Sequence, residues 1–378
     1  MPGASTNAVH GGERTDPATG AVNAPVTLST TYRYPELEDG RAAPYIYSRY
    51  SNPSLEAVEQ KLAGLEGAKR SLLFASGMAA IQAVCQATLQ PGDTLAVQSG
   101  VYGGTTAYLR DELARWGVTL HSFDAHAKPA LPKGTKLIWM ESITNPLLRV
   151  ADLPVWAKAA KKVGARLAVD ATFASPILQR PLELGADVVM HSATKYLGGH
   201  SDVTAGALST NDTDLAESLF LRRRNLGPTL DPHAAYLLGR GMKTLALRVE
   251  RQSANAFGIA QAAANLKGVV AVHYPGLPDH PDRAVAKRLL PAGAGGVVTL
   301  DLGTKARAVA FRRKVGLIVP ASSLGCVESL VSLPIETSHA YATAASRKAD
   351  GIGDGLVRIS IGIEDLDDLV ADLKRGLS

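Results

Sequence analysis

Residues 187–200 read Asp-Val-Val-Met-His-Ser-Ala-Thr-Lys-Tyr-Leu-Gly-Gly-His. The apolar run 188–190 has the length and branching of a buried strand. It gives way to Ser192 and Thr194, then Lys195, then Gly198 and Gly199. In an open parallel sheet, ligands bind beyond the carboxyl ends of the strands. A lysine set there among Ser, Ala, Thr and Gly suits a Schiff base, because a pocket of low polarity lowers its pKa and keeps the amine nucleophilic. Ser192 and Thr194 can donate to a phosphate. The segment alone also fits a helix cap beside a solvated lysine.

Three more strand ends carry chemistry. The run 166–170 closes on Asp170, a carboxylate that is costly at the end of a buried strand unless it meets a positive partner. A protonated pyridinium nitrogen is one such partner, and pyridoxal phosphate works as an electron sink only while that nitrogen stays protonated. A helix N-cap is the alternative role. At 74–78, Phe-Ala-Ser-Gly-Met, a glycine turn opens a helix whose amides favour phosphate. It matches neither a P-loop nor a dinucleotide fingerprint nor a hydrolase elbow. At 101–105, Val-Tyr-Gly-Gly-Thr, Tyr102 can stack on a flat cofactor or pack in the core.

Outward from these ends, the chain alternates short apolar runs with helical stretches. Runs at 71–75, 94–97, 137–140, 167–169 and 188–190 predict strands, and 78–89 a helix. Leu55, Val58, Leu62 and Leu65 predict an earlier helix capped by Ser54 and ended by Gly67. The alternation predicts an α/β fold, a mostly parallel sheet with helices on both faces. A long helical pattern at 231–266 leads to a smaller C-terminal α/β domain, with strands at 296–302 and 357–361 and helices at 306–314 and 366–377. Residues 1–53, with little helical periodicity, read as an arm that wraps another surface. The expected division is 1–53 arm, 54–245 cofactor-binding domain and 246–378 C-terminal domain.

Composition narrows the class. The chain has 378 residues, 46% hydrophobic and 20% charged, which excludes global disorder. Cys85 and Cys326 make neither a disulfide framework nor a four-thiolate zinc site. His191, His200 and Asp202 match no common metal spacing, so no metal is expected. Forty Lys+Arg against 35 Asp+Glu leave +5, too little for a nucleic-acid-binding domain despite Arg222, Arg223 and Arg224. The uncharged stretch 71–92 is interrupted by Gly77, Gln82, Gln86 and Pro91, unlike a membrane span. No basic start with an apolar stretch opens the chain, so the cytoplasm is the expected location.

Nearly the whole chain resembles the Cys/Met-metabolism family of pyridoxal-phosphate enzymes, the transsulfuration group with fold type I, aspartate-aminotransferase-like architecture. The most specific stretch is 186–202, ADVVMHSATKYLGGHSD. It is joined in order by YIYSRYSNP (45–53), FASGM (74–78), YGGT (102–105), ESITNPL (141–147), residues 170–176, SLGCVESL (323–330) and LVRISIGIED (356–365). The resemblance implies that Lys195 carries the cofactor and shuttles protons between substrate carbons, Asp170 keeps its ring nitrogen protonated, and Tyr102 stacks on the ring and assists proton transfer as a second catalytic residue. Gly77, Met78, Ser192 and Thr194 would bind its phosphate. Tyr47 and Arg49 would reach the phosphate of a neighbouring subunit, within a homotetramer built from two active dimers. Arg358 would clamp the substrate carboxylate, helped by Asn145 and Ser329.

The implied chemistry is γ-replacement or γ-elimination on homoserine-derived or cystathionine-type substrates. The family often has Asn at the place of Ala171 and Gly at that of Cys326. Ile46 and Ala107 stand where cystathionine γ-synthases and γ-lyases usually carry an acid and an arginine, and Ile46 looks closer to homoserine sulfhydrylases or methionine γ-lyases. Glu328 resembles the glutamate of the cystathionine enzymes. Gly104 replaces a cysteine of methionine γ-lyases. The reading is a cystathionine γ-synthase/γ-lyase type, with an O-acyl-homoserine sulfhydrylase, then a methionine γ-lyase, as alternatives.

Overall fold

The computed structural model describes residues 3–13, 15–33, 45–340 and 342–378. Residues 1, 2, 14 and 34–44 of the expected arm lie outside them. The arm is not without helix: α1 spans Ala4–His10. Its last carbonyls, of Ala8 and Val9, accept from Lys61 Nζ at 2.8 and 3.1 Å. A helix of this length gains little from its own hydrogen bonds, so this contact from a distant residue holds it.

Helix α2 spans Pro53–Glu66 and buries Leu55, Val58, Leu62 and Leu65. Its cap is Asn52, not Ser54. Proline suits the first helical position because it has no N–H to satisfy, so the cap falls one residue earlier. Asn52 Oδ1 accepts from Ser54 N at 2.9 Å, while Ser54 Oγ accepts from Thr27 N of the arm. Gly67 ends the helix with φ +66°, a left-handed turn that suits glycine.

Seven strands build the main sheet: β1 (Arg70–Phe74), β2 (Thr94–Gln98), β3 (Thr119–Phe123), β4 (Thr135–Glu141), β5 (Arg166–Asp170), β6 (Val188–His191) and β7 (Gly206–Thr210). Their order is β1-β7-β6-β5-β4-β2-β3. The strands β2 to β6 run parallel, and β7 runs antiparallel to both neighbours. The sequence pattern missed β3 and β7. The first is a half-buried edge strand with His and Ser; the second is a buried run of small residues.

Helix α3 (Gly77–Thr88) follows β1, and α4 (Gly103–Asp111) follows β2. The pattern at 231–266 resolves into two helices, Pro232–Met242 and Leu245–Ala264. The second packs on a five-stranded sheet of β8 (Ala271–His273), β9 (Val297–Asp301), β10 (Val319–Pro320), β11 (Leu330–Ser332) and β12 (Leu356–Ser360), in the order β10-β11-β12-β9-β8. The carboxyl ends of β4, β5 and β6 thus face the segment between β10 and β11 and the middle of β12, as the contacts below show.

Candidate active site

Lys195 follows β6 in a turn whose amide donates to Ser192 O at 3.0 Å. Its Nζ donates to Ser323 Oγ at 2.7 Å. Burial, then the charge of Arg358, lowers its pKa, which raises the share of neutral, nucleophilic amine. Ser323 has φ +110°, a backbone state that costs a non-glycine residue about 1–3 kcal/mol and clusters at functional sites. Its carbonyl accepts from Arg358 Nη2 at 2.9 Å, and Arg358 Nη1 donates to Asn145 Oδ1 at 3.1 Å. One serine therefore links the lysine to the guanidinium. Burial brings Arg358 down to about 10, so it stays charged at neutral pH, while its buried Nε has no hydrogen-bond partner among the described residues.

Asp170 ends β5, its Oδ1 accepting from Thr172 N at 2.9 Å. Thr172 Oγ1 in turn accepts from Ser192 N at 2.9 Å, tying the ends of β5 and β6. Directly across the ladder from Asp170 stands Glu141 of β4. Burial raises both carboxyls, and Asp170 raises Glu141 further. Among the described residues no cationic side chain forms an ion pair with either. Glu141 Oε1 accepts from Tyr102 N at 2.6 Å, which fixes the start of α4 over this corner. The Tyr102 ring lies across Gly104, where a Cβ would come within 2.5 Å of it, and remains 45% exposed.

Across the sheet, Ser76 caps α3 by accepting from Ala79 N at 3.2 Å, leaving the amides of Gly77 and Met78 at the helix start. Gly77 is pressed against β6: a Cβ there would stand 3.2 Å from Ser192 Oγ and 3.0 Å from Met190 Cε. Gly77, Met78 and Ser192 meet at this corner. The Thr194 hydroxyl is engaged with Ala205, donating to its carbonyl and accepting from its amide. Arg49 stacks on Tyr47 and Tyr50 and donates to the Arg224 carbonyl of its own chain. Those contacts do not join it or Tyr47 to Lys195.

Ser329 and Glu328, both expected at the substrate, are hydrogen-bonded within the chain. Ser329 Oγ donates to Glu364 Oε2 at 2.9 Å and accepts from Gly362 N at 2.8 Å; it does not bond Arg358. Glu328 accepts from the Ser201 hydroxyl. Side chains alternate along a strand, and Ser332 pairs directly with Arg358 in the β11–β12 ladder. Ser329 lies just before β11, its hydroxyl engaged by Glu364 and Gly362. Ser332 is buried with its hydroxyl unpartnered, so it is the β11 serine on the face of Arg358. Ser323, Ser332 and Glu141 are the site residues the sequence reading gave no role. Two of them lay in quoted motifs, but only ladder register singles them out.

The donor set fits pyridoxal phosphate. A buried amine of lowered pKa, a buried carboxyl pair with no cation, and a helix start pressed close by a glycine offer partners for its aldehyde, ring nitrogen and phosphate. The comparisons agree. Residues 5–378 match the family model described as Cys/Met metabolism PLP-dependent enzyme. The chain is 43% identical to the cystathionine gamma-synthase of Mycobacterium tuberculosis, over 99% of this chain and 97% of the relative. It is 42% identical to the cystathionine gamma-lyase of Bacillus subtilis, over 98% and 97%. The crystal structure of cystathionine gamma synthase from Xanthomonas oryzae pv. oryzae in complex with aminoacrylate and cysteine superposes with a TM-score of 0.94 at 40% identity, covering 100% of this chain and 98% of that one. The chain belongs to the Cys/Met-metabolism family of pyridoxal-phosphate-dependent enzymes, in its transsulfuration group of cystathionine synthases and lyases, and takes pyridoxal 5'-phosphate as cofactor.

Proposed function

We propose that the protein catalyses γ-replacement and γ-elimination on homoserine esters and cystathionine-type amino acids, with Lys195 as the cofactor-bearing and proton-carrying residue. One observation supports this above the others: Lys195 Nζ and Arg358 Nη2 meet at one serine, at 2.7 Å from its hydroxyl and 2.9 Å from its carbonyl. A substrate whose α-carboxylate pairs with Arg358, with Ser332 and Asn145 beside it, presents its α- and β-carbons toward Lys195. When bound, pyridoxal phosphate supplies an electron sink for negative charge at the α-carbon.

The chain's own groups divide the remaining work. Lys195 would take the α-proton, give it back to the bound substrate–cofactor group, and then take a β-proton that it can pass to the departing γ-substituent; a thiol then takes that place, or water ends the sequence. Asp170 holds the proton of the ring nitrogen. Gly77, Met78 and Ser192 hold the phosphate, with Thr194 reaching it by turning from Ala205. Tyr102 covers the ring face and excludes water.

The arm, with Tyr47 and Arg49, reaches a second copy's phosphate within a homotetramer of two active dimers. The chain divides near residue 245 into a cofactor-binding and a C-terminal domain. The cytoplasm is its location: both cysteines are free and buried, and no helix among the described residues is long and apolar enough to cross a membrane.

Ile46 and Ala107, neither of them charged, favour an O-acyl-homoserine sulfhydrylase as the second reading, because a distal pocket without charge suits sulfide as well as cysteine. A substrate panel decides between them: O-acetyl- and O-succinyl-homoserine with cysteine or sulfide, cystathionine, and methionine, following thioether and 2-oxo acid products. Cystathionine formed or cleaved in preference to homocysteine formation from sulfide is the expected result. Borohydride reduction should fix the cofactor on Lys195, and Lys195→Ala should lose the yellow colour and turnover; a yellow, fully active variant defeats the assignment.

A further inference from the structure

We infer that Glu141 is a positioning residue that, as a neutral acid, ties the Tyr102 backbone to the end of β4 and leaves Asp170 as the single anion offered to the cofactor ring. The inference rests on the roles proposed for Tyr102 and Asp170. Glu141 is 4% exposed. Its Oε1 accepts from Tyr102 N, its own amide donates to Gln98 Oε1 of β2 at 2.8 Å, and its Oε2 is buried with no partner.

A buried carboxylate without a cation loses its hydration, and backbone amides compensate that only in part. The charged group acting on it is Asp170, directly opposite in the β4–β5 ladder. Two buried carboxyls this close hold one charge more cheaply than two. The choice between them follows from their other neighbours. Amides favour the ionised form of both, Thr172 for Asp170 and Tyr102 and Asn145 for Glu141; what separates the two is that His191 of β6 favours the ionised form of Asp170, whereas the charge of Asp170 favours the neutral form of Glu141. The proton therefore resides on Glu141, on the oxygen that Tyr102 does not use. Glu141 thereby anchors the ring that covers the site without competing for the ring-nitrogen proton.

The test compares wild type, Glu141→Ala and Glu141→Gln as holoenzymes, measuring the pyridoxal-phosphate Kd, the visible circular dichroism of the bound cofactor, and kcat/KM. Glutamine keeps an oxygen for the Tyr102 amide and carries no charge. Glu141→Ala should weaken cofactor binding about tenfold and alter the visible dichroism; Glu141→Gln should bring both back to within about threefold of wild type. As pH rises, wild type should weaken relative to Glu141→Gln, because only wild type can ionise at this position. Equal losses in the two variants would show that the charge is needed, and an alanine variant indistinguishable from wild type would show that nothing is positioned; either overturns the inference. Should the alanine variant not fold, a tenfold loss in Glu141→Gln alone also overturns it. Wild type that binds no pyridoxal phosphate would instead defeat the roles on which the inference rests.

Discussion

Ser323 joins Lys195 to Arg358, and its φ of +110° shows that the surrounding chain holds it there against its own preference. Two neighbouring serines separate binding from stability. Ser332→Ala removes an unpartnered buried hydroxyl on the Arg358 face and should raise KM severalfold while changing the melting temperature little. Ser329→Ala removes the bonds to Glu364 and Gly362, leaving buried groups unmet. It should cost about 1–3 kcal/mol of stability, read by denaturant unfolding, with KM moved less than in Ser332→Ala. A larger KM effect in Ser329→Ala would reverse the assignment of faces. The motif 323–330 was legible as a unit in the sequence. That Ser332, two residues beyond it, pairs with Arg358 was not, because that depends on pairing with β12, about thirty residues further on.

Elements show the same division between local and distant causes. Helix α2 follows from its apolar spacing, Pro53 and Gly67, all within one segment. Helix α1 does not, since it is closed by Lys61 from the middle of α2. Burial lowers the Lys61 pKa, opposed by Glu13, so the amine is costly to bury and valuable once bonded. Lys61→Met keeps the apolar stem but frees the carbonyls of Ala8 and Val9. It should raise the rate of limited proteolysis before residue 13 and cost about 2 kcal/mol. Gly77→Ala tests the opening of α3: its Cβ would press Ser192 and Met190, and cofactor affinity should fall about tenfold while far-ultraviolet dichroism stays unchanged.

Taken whole, the molecule brings the two sheets together through a polar cluster around the buried Asp282. Arg149, between β4 and β5, makes a bidentate pair with Asp282 at 2.6 and 3.0 Å, and His126, after β3, approaches the same carboxylate at 3.3 Å. Burial raises the Asp282 carboxyl, but hydrogen bonds from His126, Arg149 and the Val150 amide outweigh it and hold it well below the usual carboxylate range. Its stabilisation is present above about pH 4 and lost as pH falls. The hydrogen bond to Asp282 raises His126 above 6.5, so its share is full below that pH and is lost as pH rises through the raised value. His126→Gln should flatten the decline in stability on the alkaline side of about pH 6.5, and Asp282→Asn should cost on the order of 3 kcal/mol, both read from melting curves across pH. The sequence by itself determined the α/β alternation apart from β3 and β7 in the main sheet, the family and the cofactor, because those signals lie in contiguous residues: apolar period, glycine turns, and a motif at one strand end. Only the tertiary structure decided that Glu141 faces Asp170, that Ser332 rather than Ser329 faces Arg358, and that Lys61 closes α1. Ladder register and burial are properties of segments far apart in the chain, and no local spacing encodes which of two neighbouring side chains turns inward.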